Sequence, residues 1–288
     1  MGNVKKIVLP VGGLGTRFLP ATKSLPKEML PVFNKPIIQY AYDEAKAAGI
    51  DEFLFITGRN KNAINNHFDH AYELQDVLGT KQKHKELSLT RNWLPEAGQI
   101  AFVRQQEPLG LGHAIWCARN FIKNEPFAVT LADELLQSKT SFMSKMVETF
   151  NQLPDKANLI GVYQVPEDQV SKYGIIDFKN AGDLLEIKSM VEKPEVGTAP
   201  SNYAMIGRYI LQPEIFDILN AKEIGVGGEI QLTDALGKLL KTQKFYALEF
   251  TEKRFDCGSP SGWLDANISF GQISLESEDF KQIIAKYS

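Results

Sequence analysis

The residues best suited to chemistry lie in short clusters, and the first of them is a glycine loop. Gly12-Gly13-Leu14-Gly15-Thr16-Arg17-Phe18 is followed, ten residues after Arg17, by Lys27 in Pro26-Lys27-Glu28. Glycine at 12, 13 and 15 lets the backbone take positive φ and approach a ligand with no Cβ in the way. Amides exposed in such a turn can cradle phosphate oxygens, here with Thr16 beside them and Arg17 adding a charged fork. A glycine turn after a strand serves tight packing equally well; Arg17 and the Pro26-Lys27 element are what favour a phosphate. Two familiar loops are excluded. A dinucleotide fingerprint needs glycine at 18, where Phe18 stands, and a P-loop needs Gly-Lys followed by Ser or Thr.

The second cluster centres on Asp133, which closes the very apolar run Phe127–Leu131. A carboxylate there is costly if buried and unpaired, so it must be solvated, cap a turn or bind a metal. Mg²⁺ typically takes one or two carboxylates together with substrate phosphates and waters. The third cluster is Glu192-Lys193-Pro194. Its carboxylate can accept hydrogen bonds from hydroxyls while its ammonium meets a phosphate; the ordinary alternative is a solvated, charged turn before proline.

Apolar spacing gives the elements that must position these groups. Lys6–Val11 reads as a buried strand feeding the glycine loop. Pro36–Ala48 carries Ile37, Ile38, Ala41, Ala45 and Ala48 at helical spacing and is closed by Gly49. Glu52–Thr57, Ile100–Val103 and Phe127–Leu131 read as further strands, Asn60–Leu78 as mostly helical, and Ala114–Ile122 as a helix behind a second glycine loop, Gly110–Gly112. Strands alternating with helices imply right-handed crossovers and a sheet covered on both faces. In such sheets ligands bind at the carboxyl ends of the strands, which is where the glycine loop and Asp133 fall. Beyond residue 158 the pattern changes to strands at Asn158–Val165, Ile175–Phe178, Leu184–Val191 and Tyr203–Leu211, then helices over Glu229–Thr242 and from Pro260.

The 288 residues are 43% hydrophobic and 23% charged, with net charge −3. No basic excess exists to bind nucleic acid or an anionic membrane, so any anionic ligand must meet a few placed Lys and Arg side chains in a cleft. Cys117 and Cys257 are far apart and form no CxxC, which points to a reducing, cytoplasmic setting. The early apolar run Ile7–Val11 is too short for a signal peptide, and no window approaches the ~18 apolar residues of a membrane span.

Gly-Gly-x-Gly-Thr-Arg followed by Pro-Lys resembles the signature of sugar-phosphate nucleotidyltransferases. The forms Lys27-Glu28-Met29-Leu30-Pro31 and Lys35-Pro36-Ile37-Ile38-Gln39-Tyr40 resemble their bacterial UTP–glucose-1-phosphate uridylyltransferase branch. Further ordered matches run through Gly110-Leu111-Gly112-His113-Ala114, Leu131-Ala132-Asp133, Tyr173-Gly174, Glu192-Lys193-Pro194, Gly228-Glu229-Ile230-Gln231 and Asp256-Cys257-Gly258. Gly12 departs from the branch, which often has alanine there, whereas the thymidylyl branch often has glycine.

The resemblance implies a three-layer Rossmann-like α/β nucleotidyltransferase fold with a mixed, mostly parallel sheet and an antiparallel sugar-side extension. It implies one domain over 1–288, with a nucleotide half of about 1–135, a sugar half of about 136–260 and C-terminal helices of about 260–288. The partners implied are UTP and glucose 1-phosphate, the cofactor Mg²⁺, and the assembly a homodimer or homotetramer. Arg17 and Lys27 would hold the triphosphate, with Gly12, Gly13, Gly15 and Thr16 around it. Glu28, Gln105 and Gly110 would lie on the nucleoside, and Asp133 and Asp256 on the metal. Gly174, Glu192, Lys193 and, either for the sugar or for structure, Glu229 would lie on the sugar phosphate.

Other residues take plainer readings. Glu134 is unremarkable, Cys117 belongs to the core, Cys257 is partly accessible, and His67 and His70 sit on a solvated helix. The same chemistry with dTTP, and a catalytically silent nucleotide-sugar sensor, are the competing functions.

Overall fold

A computed structural model describes residues 4–275 and 277–287. Its strands are β1 (Lys6–Val11), β2 (Pro31–Val32), β3 (Lys35–Pro36), β4 (Glu52–Thr57), β5 (Ile100–Arg104), β6 (Phe127–Thr130), β7 (Glu134–Gln137), β8 (Asn158–Gln164), β9 (Gly174–Ala181), β10 (Leu184–Glu192), β11 (Tyr203–Leu211), β12 (Phe245–Glu249) and β13 (Lys253–Asp256). The helices are α1 (Ile37–Ala47), α2 (Asn62–His67), α3 (Tyr72–Thr80), α4 (His84–Arg91), α5 (Leu111–Cys117), α6 (Arg119–Ile122), α7 (Phe142–Phe150), α8 (Ile215–Leu219), α9 (Leu232–Leu239), α10 (Pro260–Ser274) and α11 (Ser277–Ile284).

Nine strands form one mixed sheet in the order β5-β4-β1-β6-β11-β8-β12-β10-β9. β5, β4, β1 and β6 are mutually parallel, as are β8 and β12. β11 runs against β6 and β8, and β10 against β12 and β9. Seven of the nine therefore point one way and only β10 and β11 the other, a mixed and mostly parallel sheet with an antiparallel β9–β10 hairpin at its far edge. β9 meets β11 again at Ile175 opposite Ala204, so this end of the sheet curls back on itself.

Alternation along each strand divides the apolar side chains between two layers. On β1, Ile7, Leu9 and Val11 face a cluster that includes Ile38, Tyr42, Met146 and Phe270. Val8, between them, faces Ile115, Phe216 and Leu236 in the opposite layer. Helices α1, α7 and α10 cover the first face, and α5, α8 and α9 the second, which completes a three-layer arrangement. Among the described residues no helix is long and apolar enough to cross a membrane.

Some local expectations are corrected. The helical stretch over 60–78 breaks between α2 and α3, where Phe68 turns into the core. The helix expected over Glu229–Thr242 spans only Leu232–Leu239, because Glu229 is extended (φ −110°, ψ 154°) and Ile230 bonds back to another loop. The two-stranded ribbon β7–β13 and the strand β12 were not anticipated.

Candidate active site

The chain leaves β1 towards β4 and β5 on one side and later returns to place β6 on the other. A crevice opens where connections diverge in this way, beyond the carboxyl ends of β1 and β6. The glycine loop follows β1, and the turn carrying Asp133 follows β6.

Across this crevice Lys27 Nζ lies 2.5 Å from Asp133 Oδ2. The glycine loop runs over the lysine stem: a Cβ at Gly15 would lie 3.2 Å from Lys27 Cβ, and one at Gly13 would lie 3.8 Å from Cε. Gly15 adopts φ 67°, a left-handed conformation that glycine takes without strain, and its carbonyl accepts from Thr22 Oγ1 at 2.7 Å. Burial by itself would push the Lys27 pKa down, but the Asp133 and Glu28 carboxylates outweigh it and raise the value. Burial likewise opposes ionisation of Asp133, and the Lys27 ammonium prevails to lower that pKa. The pair is a mutually stabilised ion pair.

Arg17 is exposed, and its Nη1 donates to the Gly258 carbonyl at 3.4 Å. The Gly258 amide donates to Asp256 Oδ1 at 2.9 Å, and the Cys257 amide to the Asp133 carbonyl at 2.8 Å. A Cβ at Gly258 would stand 2.9 Å from both Asp133 Oδ2 and Asp256 Oδ1, and 3.6 Å from Arg17 Nη1. Two carboxylates 123 positions apart thus face one space left open by the missing side chain. Hard oxygen donors beside a cradle of that kind suit Mg²⁺, whose remaining ligands are ordinarily phosphate oxygens and waters. No group of three or more His, Cys, Asp or Glu among the described residues is arranged to hold a metal unaided.

The turn bearing Asp133 is held by residues whose local sequence carries no signal. Arg208 on β11, 1% exposed, donates through Nη1 to Leu131 O at 3.0 Å and through Nη2 to Glu134 O at 2.8 Å. Its Nε and Nη2 also reach Glu44 Oε2 on α1 at 3.1 and 2.8 Å. Glu134, read as unremarkable, is buried and pairs with both sides of its carboxylate to Arg254, at 2.7 and 2.8 Å. These partners lie 164 and 120 positions apart, beyond the reach of any local pattern.

Glu192 closes β10, where its Oε2 accepts from Thr233 Oγ1 at 2.6 Å and its Oε1 lies 3.3 Å from Lys193 Nζ. Lys193 has φ 47°, a left-handed conformation that is strained for a side-chain-bearing residue and that tends to persist where function requires it. Its amide donates to Tyr173 O at 2.9 Å, and the Tyr173 hydroxyl in turn accepts from Arg254 Nη1 at 3.4 Å. Glu192-Lys193 is therefore joined to the Asp133 turn through Tyr173, Arg254 and Glu134. Gly174 lies against this group: a Cβ there would meet Met205 and Thr233 and would stand 3.2 Å from Glu192 Oε2.

On the other flank Gln105 follows β5 and is 8% exposed, its Nε2 donating to Gly110 O at 3.1 Å. A Cβ at Gly12 would lie 2.9 Å from Gln105 Oε1. Gly110 has φ 104°, and its missing Cβ makes room for the Glu229 stem at 2.8 Å. Bonds from Ile230 N to Leu109 O and from Gly112 N to Ile230 O, both 2.8 Å, fasten the exposed Glu229 segment to this loop. Glu28 departs from expectation: at 2% exposure it points inward, with Lys61 Nζ 2.7 Å from its Oε2. Cys257 is fully buried rather than accessible, and burial followed by nearby carboxylates pushes its thiol pKa far up. His67 is only half-buried on its helix, its ring 4.7 Å from that of Trp93 and its Nε2 3.1 Å from Gln39 Oε1.

The profile of a family described as nucleotidyl transferase matches residues 5–272. The chain is 45% identical to a UTP–glucose-1-phosphate uridylyltransferase of Bacillus subtilis strain 168, over 97% of this chain and 95% of that one. It is similar to a UTP-bound UGPase from Acinetobacter baumannii with a TM-score of 0.91 at 39% identity, covering 99% of this chain and 100% of the other. A UDP-glucose pyrophosphorylase complexed with UDP-glucose gives a TM-score of 0.85 at 42% identity, over 93% and 99% of the two chains. With end-to-end similarity in sequence and in fold, and a crevice that gathers cations and carboxylates at its strand ends, this chain belongs to the nucleotidyl transferase family.

Proposed function

We propose that the chain transfers the uridylyl group of UTP to α-D-glucose 1-phosphate, giving UDP-glucose and pyrophosphate. The observation that carries this reading is the convergence of Asp133, Asp256 and Arg17 on the space at Gly258, with Lys27 paired to Asp133 beside it. Relatives at about this degree of identity bear the name of that reaction or hold UTP or UDP-glucose.

The nucleophile is a phosphate oxygen of the sugar phosphate, already anionic at neutral pH because its second pKa is about 6. A general base is therefore unnecessary. What remains is to hold two polyanions in line and to neutralise charge on the departing pyrophosphate. Lys27 meets the α-phosphate, exchanging part of its contact with Asp133 for the ligand. Arg17 and the amides of Gly13, Gly15 and Thr16 take the outer phosphates. Asp133 and Asp256 would hold Mg²⁺, which when bound supplies positive charge to the phosphate oxygens.

Gln105, Gly12 and Gly110 face the base. Glu28 acts at one remove, by fixing Lys61. Glu192 accepts from sugar hydroxyls while Lys193, projecting from its strained backbone, meets the sugar phosphate. Glu229 closes the Gly110 side, and Gly174, beside Glu192, lets the backbone approach the sugar. A single domain with these two halves, a homodimer or homotetramer, and residence in the cytoplasm belong to the same proposal.

The test is pyrophosphate release with glucose 1-phosphate and Mg²⁺, comparing UTP, dTTP, CTP, ATP and GTP, with a chelator arm. A UTP preference that is lost on chelation and restored by Mg²⁺ is expected. A dTTP preference would move the chain to the thymidylyl branch, where Gly12 is the informative position, and no release with any triphosphate would overturn the reading.

A further inference from the structure

Gln105 has a neighbour to which the mechanism gives no task. His113, in the first turn of α5 and 8% exposed, lies with Nδ1 3.1 Å from Gln105 Nε2, and its ring stacks on Trp116 at 5.6 Å. We propose that His113, acting as a hydrogen-bond acceptor at Nδ1, fixes the orientation of the Gln105 amide and so determines which pyrimidine edge the site accepts. This is a positioning role, and it rests on the reading that Gln105 faces the base.

A carbonyl oxygen can only accept, so the amide atom 3.1 Å from Gly110 O must be the nitrogen. That nitrogen carries two hydrogens. One is directed to Gly110 O, and for the other the acceptor among the described residues is His113 Nδ1. Nδ1 must then present its lone pair, which places the imidazole proton on Nε2. Burial, and then the Lys222 and Arg119 cations against a smaller pull from Glu107, lower the imidazole pKa and keep the ring neutral. Those two cations stand over the Trp116 ring at 4.2 and 3.5 Å, alongside the stacked imidazole.

With both amide hydrogens committed, Oε1 is the atom left to read a ligand. It points at Gly12, where a Cβ would stand 2.9 Å away. The site therefore shows the base an acceptor. Uracil and thymine carry N–H at N3 and can donate to it, whereas cytosine has a lone pair at N3 and is repelled. A flipped amide would reverse this preference. Flipping is resisted because it would set Oε1 against two acceptors, the Gly110 carbonyl and the His113 Nδ1 lone pair, at about 1–3 kcal/mol for each group left unsatisfied.

The experiment compares kcat/KM for UTP and CTP in the wild type, His113→Leu, His113→Asn and Gln105→Leu. Asparagine restores an acceptor near the position of Nδ1 and leucine does not, while both lose the ring stack on Trp116, so their difference reports the acceptor alone. His113→Leu is expected to lower the UTP-over-CTP ratio about tenfold, the effect of roughly one hydrogen bond, and His113→Asn to keep most of it. Equal ratios in the two variants, whether both kept or both lost, would overturn the positioning role. If Gln105→Leu keeps the wild-type ratio, the failure lies with Gln105 as base reader and removes the ground under both. Should His113→Leu not fold, long-range ¹H–¹⁵N correlations on the wild-type imidazole decide. An Nε2–H tautomer with an unprotonated Nδ1 is expected, and an Nδ1–H tautomer or an imidazolium at neutral pH refutes the proposal.

Discussion

Lys27 and Asp133 are each other's counter-ion before any ligand arrives, with side chains only 22% and 25% exposed. Removing one leaves the other partly desolvated without its charge partner. Lys27→Met and Asp133→Asn should each reduce turnover at least about 100-fold, as expected when a group stabilising transition-state charge is lost. Each should also lower unfolding stability, by about 1–3 kcal/mol, and the double variant should fall short of their sum because its second change removes an already orphaned group. Urea unfolding of all three checks this, and strictly additive stabilities would show that the pair is not coupled. At this scale the sequence was informative where a charged residue follows a strand end, as at Asp133, or belongs to a distinct loop element, as at Arg17 and Lys27. It was silent on which of two faces a side chain takes. Glu28 and Gln105 sit next to the crevice by sequence, yet one turns inward to Lys61 and the other is held by Gly110 and His113.

Elements meet the site through Arg208. Its register on β11 opposite Thr130 of β6 puts the guanidinium under the turn that presents Asp133, and Glu44 holds it from α1. Arg208→Met would leave Glu44 without its cationic partner, with only the Met143 amide still donating to its Oε1 at 3.1 Å, and Leu131 O and Glu134 O would each lose a hydrogen-bond donor. Breaking a buried charge pair costs about 3–5 kcal/mol, so the urea midpoint should drop sharply, with Arg208→Lys in between because the donors of a single nitrogen cannot reproduce the four bonds spread over three guanidinium nitrogens. An unchanged midpoint in Arg208→Met would rule out the clamp. The strands β1, β4 and β6 were legible as apolar runs because both their faces are buried. The β7–β13 ribbon was not, since it is four residues on each side and is specified by Glu134–Arg254 pairing across the fold. The shortfall in α9 has a similar cause: Ile230 is committed to Leu109 and Gly112, which no helical periodicity registers.

The whole molecule inherits its cohesion from the sheet. Strands of the nucleotide half (β5, β4, β1, β6) and of the sugar half (β11, β8, β12, β10, β9) form two blocks of one unbroken sheet, joined where β6 pairs directly with β11. Both apolar layers draw on both halves. One unites Ile7, Phe55 and Tyr42 with Tyr246, Leu248 and Phe255, and the other unites Val8 and Ile115 with Ile187, Leu232 and Phe245. The Gly110 loop is laced to Ile230 as well. Neither half can open without exposing apolar surface on the other, so unfolding should be a single cooperative step. Trp116 packs against one layer and Trp263 against the other, so they report from opposite faces of the sheet. In variants keeping only one of these tryptophans, the fluorescence transitions in urea should coincide with each other and with loss of far-ultraviolet circular dichroism, the standard criterion for two-state behaviour. Separate midpoints would mean that the two apolar layers unfold independently, and that the crevice at Gly258 is not held by one continuous core.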